Sequence, residues 1–390
     1  MKKRKIIAVT GARSEYDLLY TVYRALKEHP AFDFSIIITG PHLSDSFGYT
    51  AKYINDDNFT IAGKIFNLVD SNQKVGRVIS IGNQIPSLAN ILHQENPDMV
   101  LVAGDREESI SVTMVCAYMD IPVAHFFGGD IAKDGNIDNS VRYAASKFAH
   151  IHFPTLEEHR QNLLKLGEDD FRIHVVGNPA LDRIVATELL SKQQLFHNLS
   201  VESKNIDKYG VLIQHPIITQ VHLQAEHIKI TLDSLLEIEG LHCFINYPNS
   251  DAGFSEIVAA YEKYASEYPD RFTLFKNLDR INYINLLRNA EFLIGNSSSG
   301  IVEVASIGLA AINVGERQRG RLHGDNVIFT DNNKTQIIEA IHRVLNDTEF
   351  KNKVAAKNNP YGDGNSTKKI IDALEKIELN DSLIHKNITY

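Results

Sequence analysis

A chain of 390 residues, 43% of them hydrophobic, exceeds what one compact core accommodates and has the size of two ordinary domains. Its net charge of −9 and isoelectric point near 6.0 give no general attraction for polyanions, which argues against nucleic acid or an acidic membrane surface as partner. Any anionic ligand therefore has to be held by a local basic site.

The N-terminal stretch MKKRKIIAVTGARSEY places basic residues before an apolar run, as a secretory signal does. That run, IIAV, is far too short for a signal h-region and reads as a first strand. No run approaches the roughly 18 apolar residues of a membrane span, so a soluble protein is expected. Cys116 and Cys243 lie far apart in apolar stretches (TMVCAYM and LHCFIN). That is the setting of reduced, buried thiols, and it points to the cytoplasm.

Short apolar runs then recur between longer helical patterns: KIIAV, FSIIIT, MVLVA, PVAHF, HIHF and RIHVV in the first half, then GVLIQ, HCFIN, FTLF, EFLIG, AAINV and NVIF in the second. This alternation predicts βαβ units with parallel sheets covered on both sides, in two Rossmann-like halves. The segment 178–208 reads as a linker followed by a polar helix, and the domain boundary is expected near residue 178. In the final stretch Ile370, Ile371, Leu374 and Ile377 fall at helical spacing.

Ligands of open parallel sheets bind beyond the carboxyl ends of the strands. The loops there are rich in chemistry: GARSEYD, PHLSDSFGYT, GDREES and FGGDIAKDGNIDNSVRY in the first half, HP, YPNSDAG, GNSSSG and GERQRGR in the second. Neither GxGxxG nor GxxxxGK[ST] is present, which argues against dinucleotide enzymes and P-loop NTPases. In GNSSSG, Ser297 and Ser298 either cap a helix or seat phosphates at its first amides. Arg317, Arg319 and Arg321 either add charge to that seat or pair with Glu316 and Asp325. Glu303 is a ribose-diol acceptor or a solvated helix position.

Carboxylates gather after the third and fourth strands: Asp105, Glu107 and Glu108, then Asp130, Asp134 and Asp138. Crowded carboxylates raise one another's pKa and so make acid–base groups, although Asp105 is also placed to cap a helix. His215, before Pro216, is either an acid–base group or a phosphate contact. No Cys/His spacing suits a metal.

Eight of these motifs, from TGARSEYD through AGDREES, HFFGGDIAKDGNIDNSVRY, QHP and GNSSSGIVEV to NVGERQRGR, occur in an order that resembles the hydrolysing UDP-N-acetylglucosamine 2-epimerases, which include the bacterial enzymes that begin sialic and legionaminic acid synthesis. The resemblance implies a GT-B fold: residues 1–178 and 179–365 as two Rossmann-like domains facing across a cleft, with 366–390 crossing back to the first. It implies a reaction without redox cofactor or metal. The C2 proton is removed, UDP is lost to give a 2-acetamidoglucal, and water adds to release the 2-epimeric sugar. By the same resemblance Asp105, Asp130, Asp138 and His215 are catalytic, and Arg13, Ser297, Ser298, Glu303, Arg317 and Ile281 hold UDP. His42, Arg106, Arg142 and Asn249 hold the sugar, and a homo-oligomer, dimer or tetramer, is expected.

Three departures stand out: Asp130 replaces the Glu of a GGE motif, Tyr143 replaces a His, and HFFGG is more apolar than HIHGG or HIEGG. Shortening by one methylene withdraws a carboxylate by roughly 1.5 Å. A less polar pocket suits UDP-2,4-diacetamido-2,4,6-trideoxyglucose as an alternative to UDP-N-acetylglucosamine. A UDP-sugar glycosyltransferase and an inactive UDP-sugar binder remain the competing readings.

Overall fold

A computed structural model of the protein describes residues 3–70, 73–131, 137–201, 206–248, 253–276, 278–387 and 389. Its strands are β1 (Arg4–Thr10), β2 (Phe32–Thr39), β3 (Ile61–Ile65), β4 (Met99–Ala103), β5 (Val123–Phe126), β6 (Ile151–Phe153), β7 (Lys208–Ile213), β8 (Leu241–Asn246), β9 (Phe272–Phe275), β10 (Phe292–Gly295), β11 (Ala310–Val314) and β12 (Val327–Thr330).

They form two six-stranded sheets, β3-β2-β1-β4-β5-β6 and β12-β11-β10-β7-β8-β9, in which every pairing is parallel. Numbered from its own first strand, each sheet has the doubly wound order 3-2-1-4-5-6, which places a switch point between β1 and β4 in one and between β7 and β10 in the other. The fold class is α/β, GT-B. Contacts divide the chain into one unit of Met1–Arg183 with Tyr361–Tyr390 and a second of Ile184–Pro360.

Successive strand residues face opposite sides, so a sheet covered by helices on both faces needs continuous apolar strands. In β1, Ile6 and Ala8 enter one core and Ile7 and Val9 the other. In β10, Phe292 and Ile294 face one core and Leu293 the other. The helix Ser366–Lys376 sends Ile370, Ile371 and Leu374 into the core shared with Leu19 and Leu26 of the helix Arg13–Glu28. Asp182 accepts the amides of Ser366 and Thr367 at its start, and Arg4 donates to the carbonyls of Leu374 and Ile377 at its end.

Two strand readings differ from the structure. RIHVV at 172–176 is no strand: it makes one isolated bridge, Ile173 to His152, beside the last strand of the sheet. Arg172 is spent instead on the carbonyls of His150, Ser382 and Leu383. Conversely β3 was not anticipated, because Gly63 and Lys64 interrupt its apolar run. A Cβ at Gly63 would lie 2.7 Å from Ile91 Cδ1, the movable end of a side chain on the covering helix. The linker carries two short helices, Pro179–Ala186 and Lys192–Asn198.

Candidate active site

At the first switch point the chain leaves β4 through Gly104, whose φ of +82° and amide bond to Phe126 O at 3.1 Å turn Asp105 out of the sheet. The next helix, Glu107–Tyr118, takes Arg106 as its N-cap without a side-chain cap. Asp105 is therefore free of the capping role, and its carboxylate receives Arg142 Nη2. Arg142, 7% exposed, also donates to the Asp130 carbonyl at 2.9 Å and lies 3.7 Å from the Asp130 carboxylate. Asp138 opens the helix Asp138–Phe148 that carries Arg142. The loop and helix thus gather Asp105, Asp130 and Arg142.

Asp105, Arg106, Glu108 and Asp138 line a cavity of about 580 Å³ with Asp70 and Arg77. Asp130 is not among its lining residues. Burial pushes the Asp130 carboxyl up, but hydrogen bonding to His159 (3.4 Å) and the charge of Arg142 prevail and hold it at about 2. Asp130 therefore stays ionised. Tyr143 donates to the Gly129 carbonyl at 3.2 Å, as does Asn162 at 2.9 Å. Phe126 of HFFGG is wholly buried and Phe127 packs against the same core, so these rings do not make the cavity apolar, contrary to expectation. A strand-end residue alternates into the core whatever its neighbours do.

Two glutamates share this corner. Glu15 Oε2 accepts the Gly11 amide at 3.0 Å, and Arg106 Nε lies 3.8 Å from Glu15 Oε1 and 3.5 Å from Glu108 Oε2. Burial, then the charge of Glu108, pushes the Glu15 carboxyl up to about 8, and Glu108 is likewise raised by burial. A carboxyl whose folded pKa is raised contributes stability that is complete below its ordinary value, near 4.5, and is lost as pH rises through the folded value. The stability of the protein should therefore decline between about pH 4.5 and 8 on this account. Glu15→Gln, which mimics the neutral acid, should flatten that decline in thermal melts across the range. An unchanged slope would show that Glu15 is not held protonated across this range.

His42 is fully buried, bonded through Nε2 to Thr10 Oγ1 at 3.2 Å and through Nδ1 to Thr50 Oγ1 at 2.7 Å. Burial brings its pKa down to about 4, so it is a neutral strut beneath the first loop. Arg13 starts its helix on the surface, 3.5 Å from Asp17 and over the ring of Tyr53.

At the second switch point His215 and Asn296 hold each other: the His215 amide donates to Asn296 Oδ1 at 2.7 Å and Asn296 Nδ2 returns a bond to the His215 carbonyl at 2.9 Å. The Asn296 carbonyl accepts Arg317 at 3.0 Å and Gln318 at 3.1 Å, which fixes the arginine beside the serine loop. Arg319 pairs instead with Glu316 and Asp331, and Arg321 with Gln318.

Ser297 Oγ accepts the Ser299 amide at 3.3 Å, and Ser298 precedes a helix of only four residues, Ser299–Val302, followed by a 3-10 turn. Gly308, at a φ of +72°, then turns the chain toward β11. Glu303 accepts from Ser299 Oγ, which also meets the Tyr283 hydroxyl. Ile281 is exposed on the helix Arg280–Arg288. Asn249 and Asp134 lie outside the described residues. Asn296, in the serine loop, and Glu15, Arg77 and His159, on helices, carried no sequence signal of a role, since their roles arise from what folds against them.

Both cysteines are free and buried, and burial pushes their thiols up. Among the described residues no group of three or more His, Cys, Asp or Glu is arranged to hold a metal, and no helix is long and apolar enough to cross a membrane.

The fold and loops have close counterparts. A hydrolysing UDP-N,N'-diacetylbacillosamine 2-epimerase of Legionella pneumophila is 33% identical over 99% of this chain and 100% of its own. A GDP/UDP-N,N'-diacetylbacillosamine 2-epimerase of Campylobacter jejuni is 33% identical over 99% of each. Among solved structures, the UDP-GlcNAc 2-epimerase of Neisseria meningitidis bound to UDP-GlcNAc superposes with a TM-score of 0.75 at 19% identity, covering 96% of this chain and 100% of that one. The profile of the family described as UDP-N-acetylglucosamine 2-epimerase matches residues 24–375, and with relatives this similar along their whole length the chain belongs to that family of UDP-sugar 2-epimerases.

Proposed function

We propose that the protein is a hydrolysing UDP-sugar 2-epimerase whose substrate is UDP-2,4-diacetamido-2,4,6-trideoxyglucose, with UDP-N-acetylglucosamine as the competing substrate. A base removes the C2 proton, the C–H electron pair forms the C1–C2 double bond, and the C1–O bond breaks with its electrons leaving on UDP. Water then adds hydroxyl to C1 and a proton to C2 from the other face. The observation that carries this reading is the Asp105–Arg142–Asp130 cluster with Asp138 on the same helix, beside a polar cavity.

Asp105 and Asp138, which line the cavity, are the groups placed for proton transfer at C2, while Asp130, ionised at about 2, orients Arg142. In the second unit Arg317 and the hydroxyls of Ser297 and Ser298 take the diphosphate, and Glu303 takes the ribose. The diacetamido sugar is supported by the names of the Legionella and Campylobacter relatives, not by HFFGG.

Arg317→Ala should weaken UDP binding by about 10- to 100-fold, the scale of one charge-assisted hydrogen bond, and Ser298→Ala by a few-fold. Isothermal titration with UDP measures both, and unchanged affinity in Arg317→Ala would displace the diphosphate from this loop. Proton NMR in D2O with EDTA, on each substrate in turn, tests the reaction. UDP release with deuterium at C2 of the epimeric sugar is expected, faster with the diacetamido substrate. UDP binding without release or exchange would leave a transferase or an inactive binder.

A further inference from the structure

The last residues of the chain hold a buried ammonium that the reaction described above does not use. Lys386 Nζ donates to the carbonyls of Ala149 at 2.6 Å, Lys147 at 2.9 Å and Ser146 at 3.4 Å, and meets Glu168 Oε2 at 2.5 Å. The first two carbonyls and that of Ser146 close the C-terminal end of the helix Asp138–Phe148, where a cation is favoured by both the unsatisfied carbonyls and the helix dipole.

Glu168 is itself fully buried and fixed from three sides, by His152 Nε2 at 2.8 Å, Lys147 at 3.1 Å and Lys386. The tail that delivers Lys386 is strapped down by Arg172, whose guanidinium donates to Leu383 O at 2.6 Å and Ser382 O at 2.7 Å. Taking such charges out of water is costly, so removing one partner leaves the buried Glu168 carboxylate with less compensation.

The helix so anchored carries Asp138 at its start and Arg142, the partner of Asp105 and Asp130, one turn in. A second link leads the same way: Ser146 Oγ meets His125 Nδ1 at 3.0 Å, and His125 Nε2 meets the Gly104 carbonyl at 2.7 Å, immediately before Asp105. We infer that Lys386 is a positioning residue for the reaction: the C-terminal tail clamps the far end of the Asp138–Phe148 helix and so holds Arg142 and Asp138 in register with Asp105. Truncation or displacement of the last residues then acts on turnover, although they lie outside the cavity.

The inference rests on the proposed reaction for its kinetic readout, and amide hydrogen exchange of the helix tests it independently. In Lys386→Met, exchange across 138–149 should accelerate, kcat should fall about tenfold with KM near wild type, as small misplacements of acid–base groups produce, and Lys386→Arg should restore both. Burial lowers the Lys386 ammonium to about 8 against the support of Glu168, with Lys147 and Arg172 facing it and His150 and His152 nearby. The wild-type kcat should therefore decline as pH passes 8, and this limb should move upward in Lys386→Arg.

Unchanged exchange of the helix in Lys386→Met overturns the inference whether or not the protein turns over substrate. A kcat loss matched by an equal loss of folded protein in thermal melts, with Lys386→Arg giving no rescue, overturns it as well. No turnover in the wild type would instead count against the proposed reaction.

Discussion

Asp105→Asn is expected to lower kcat by about 10²- to 10⁴-fold, the usual contribution of one positioned acid–base group, with UDP affinity close to wild type. The amide keeps the shape of the carboxylate and can still accept from Arg142 Nη2, so the loop should remain where it is. What it cannot do is take a proton. Arg142 keeps its bond to the Asp130 carbonyl and its approach to the Asp130 carboxylate, so its charge stays paired. UDP recognition is proposed for residues of the other unit, and titration with UDP therefore serves as the control. Single-turnover NMR separates the steps, because exchange of the C2 proton should disappear together with UDP release. Full activity in Asp105→Asn would move the proton transfer to Asp138 or to the Glu15–Glu108 pair.

The second large effect is on folding. At Gly295, the last residue of β10, φ is +122° and a Cβ would lie 2.1 Å from the Ile213 carbonyl oxygen. Alanine there meets both a backbone region closed to L side chains and a collision with the neighbouring strand of the β7–β10 pair, neither of which a side-chain rotation relieves. We expect a loss of about 3 kcal/mol or more, combining the strain of such a conformation with backbone displacement, and UDP binding should fail with it because Asn296 and the serine loop start at this residue. Gly320→Ala is the matched control. Its φ is +78° with nothing within 4 Å of the added Cβ, so only about 1–2 kcal/mol of left-handed strain is expected. Equal melting temperatures for the two variants would show that close approach at Gly295 is not what demands glycine.

Eleven of the twelve strands were legible as short apolar runs, because a sheet covered on both faces requires them. β3 escaped because it lies at the sheet edge, where Ile61–Ile65 is only partly buried and a glycine and a lysine are tolerated. RIHVV misled for the opposite reason: its apolar residues serve packing beside β6, and Arg172 directs the segment toward the tail. In the site, Asp105 and Arg317 were legible from loop composition, whereas Arg142 entered only through the resemblance of the ordered motifs. Asn296 lay inside the quoted GNSSSG and still went unassigned, since its bonds to His215 and its acceptance of Arg317 and Gln318 join segments about 80 and 20 residues apart.

Sequence alone determined the α/β class, the placement of functional groups at strand ends and the membership suggested by ordered loop motifs, because strand burial and loop chemistry are properties of contiguous residues. Tertiary structure decided which polar residues became partners. It made His42 a buried strut between two threonines, kept Asp130 ionised against His159 and Arg142, turned Phe126 into the core and brought Lys386 to the end of a helix more than 230 residues earlier. Those outcomes depend on burial and on long-range contacts, which remove water from some polar groups and supply charges to others, and neither is written in the local sequence pattern.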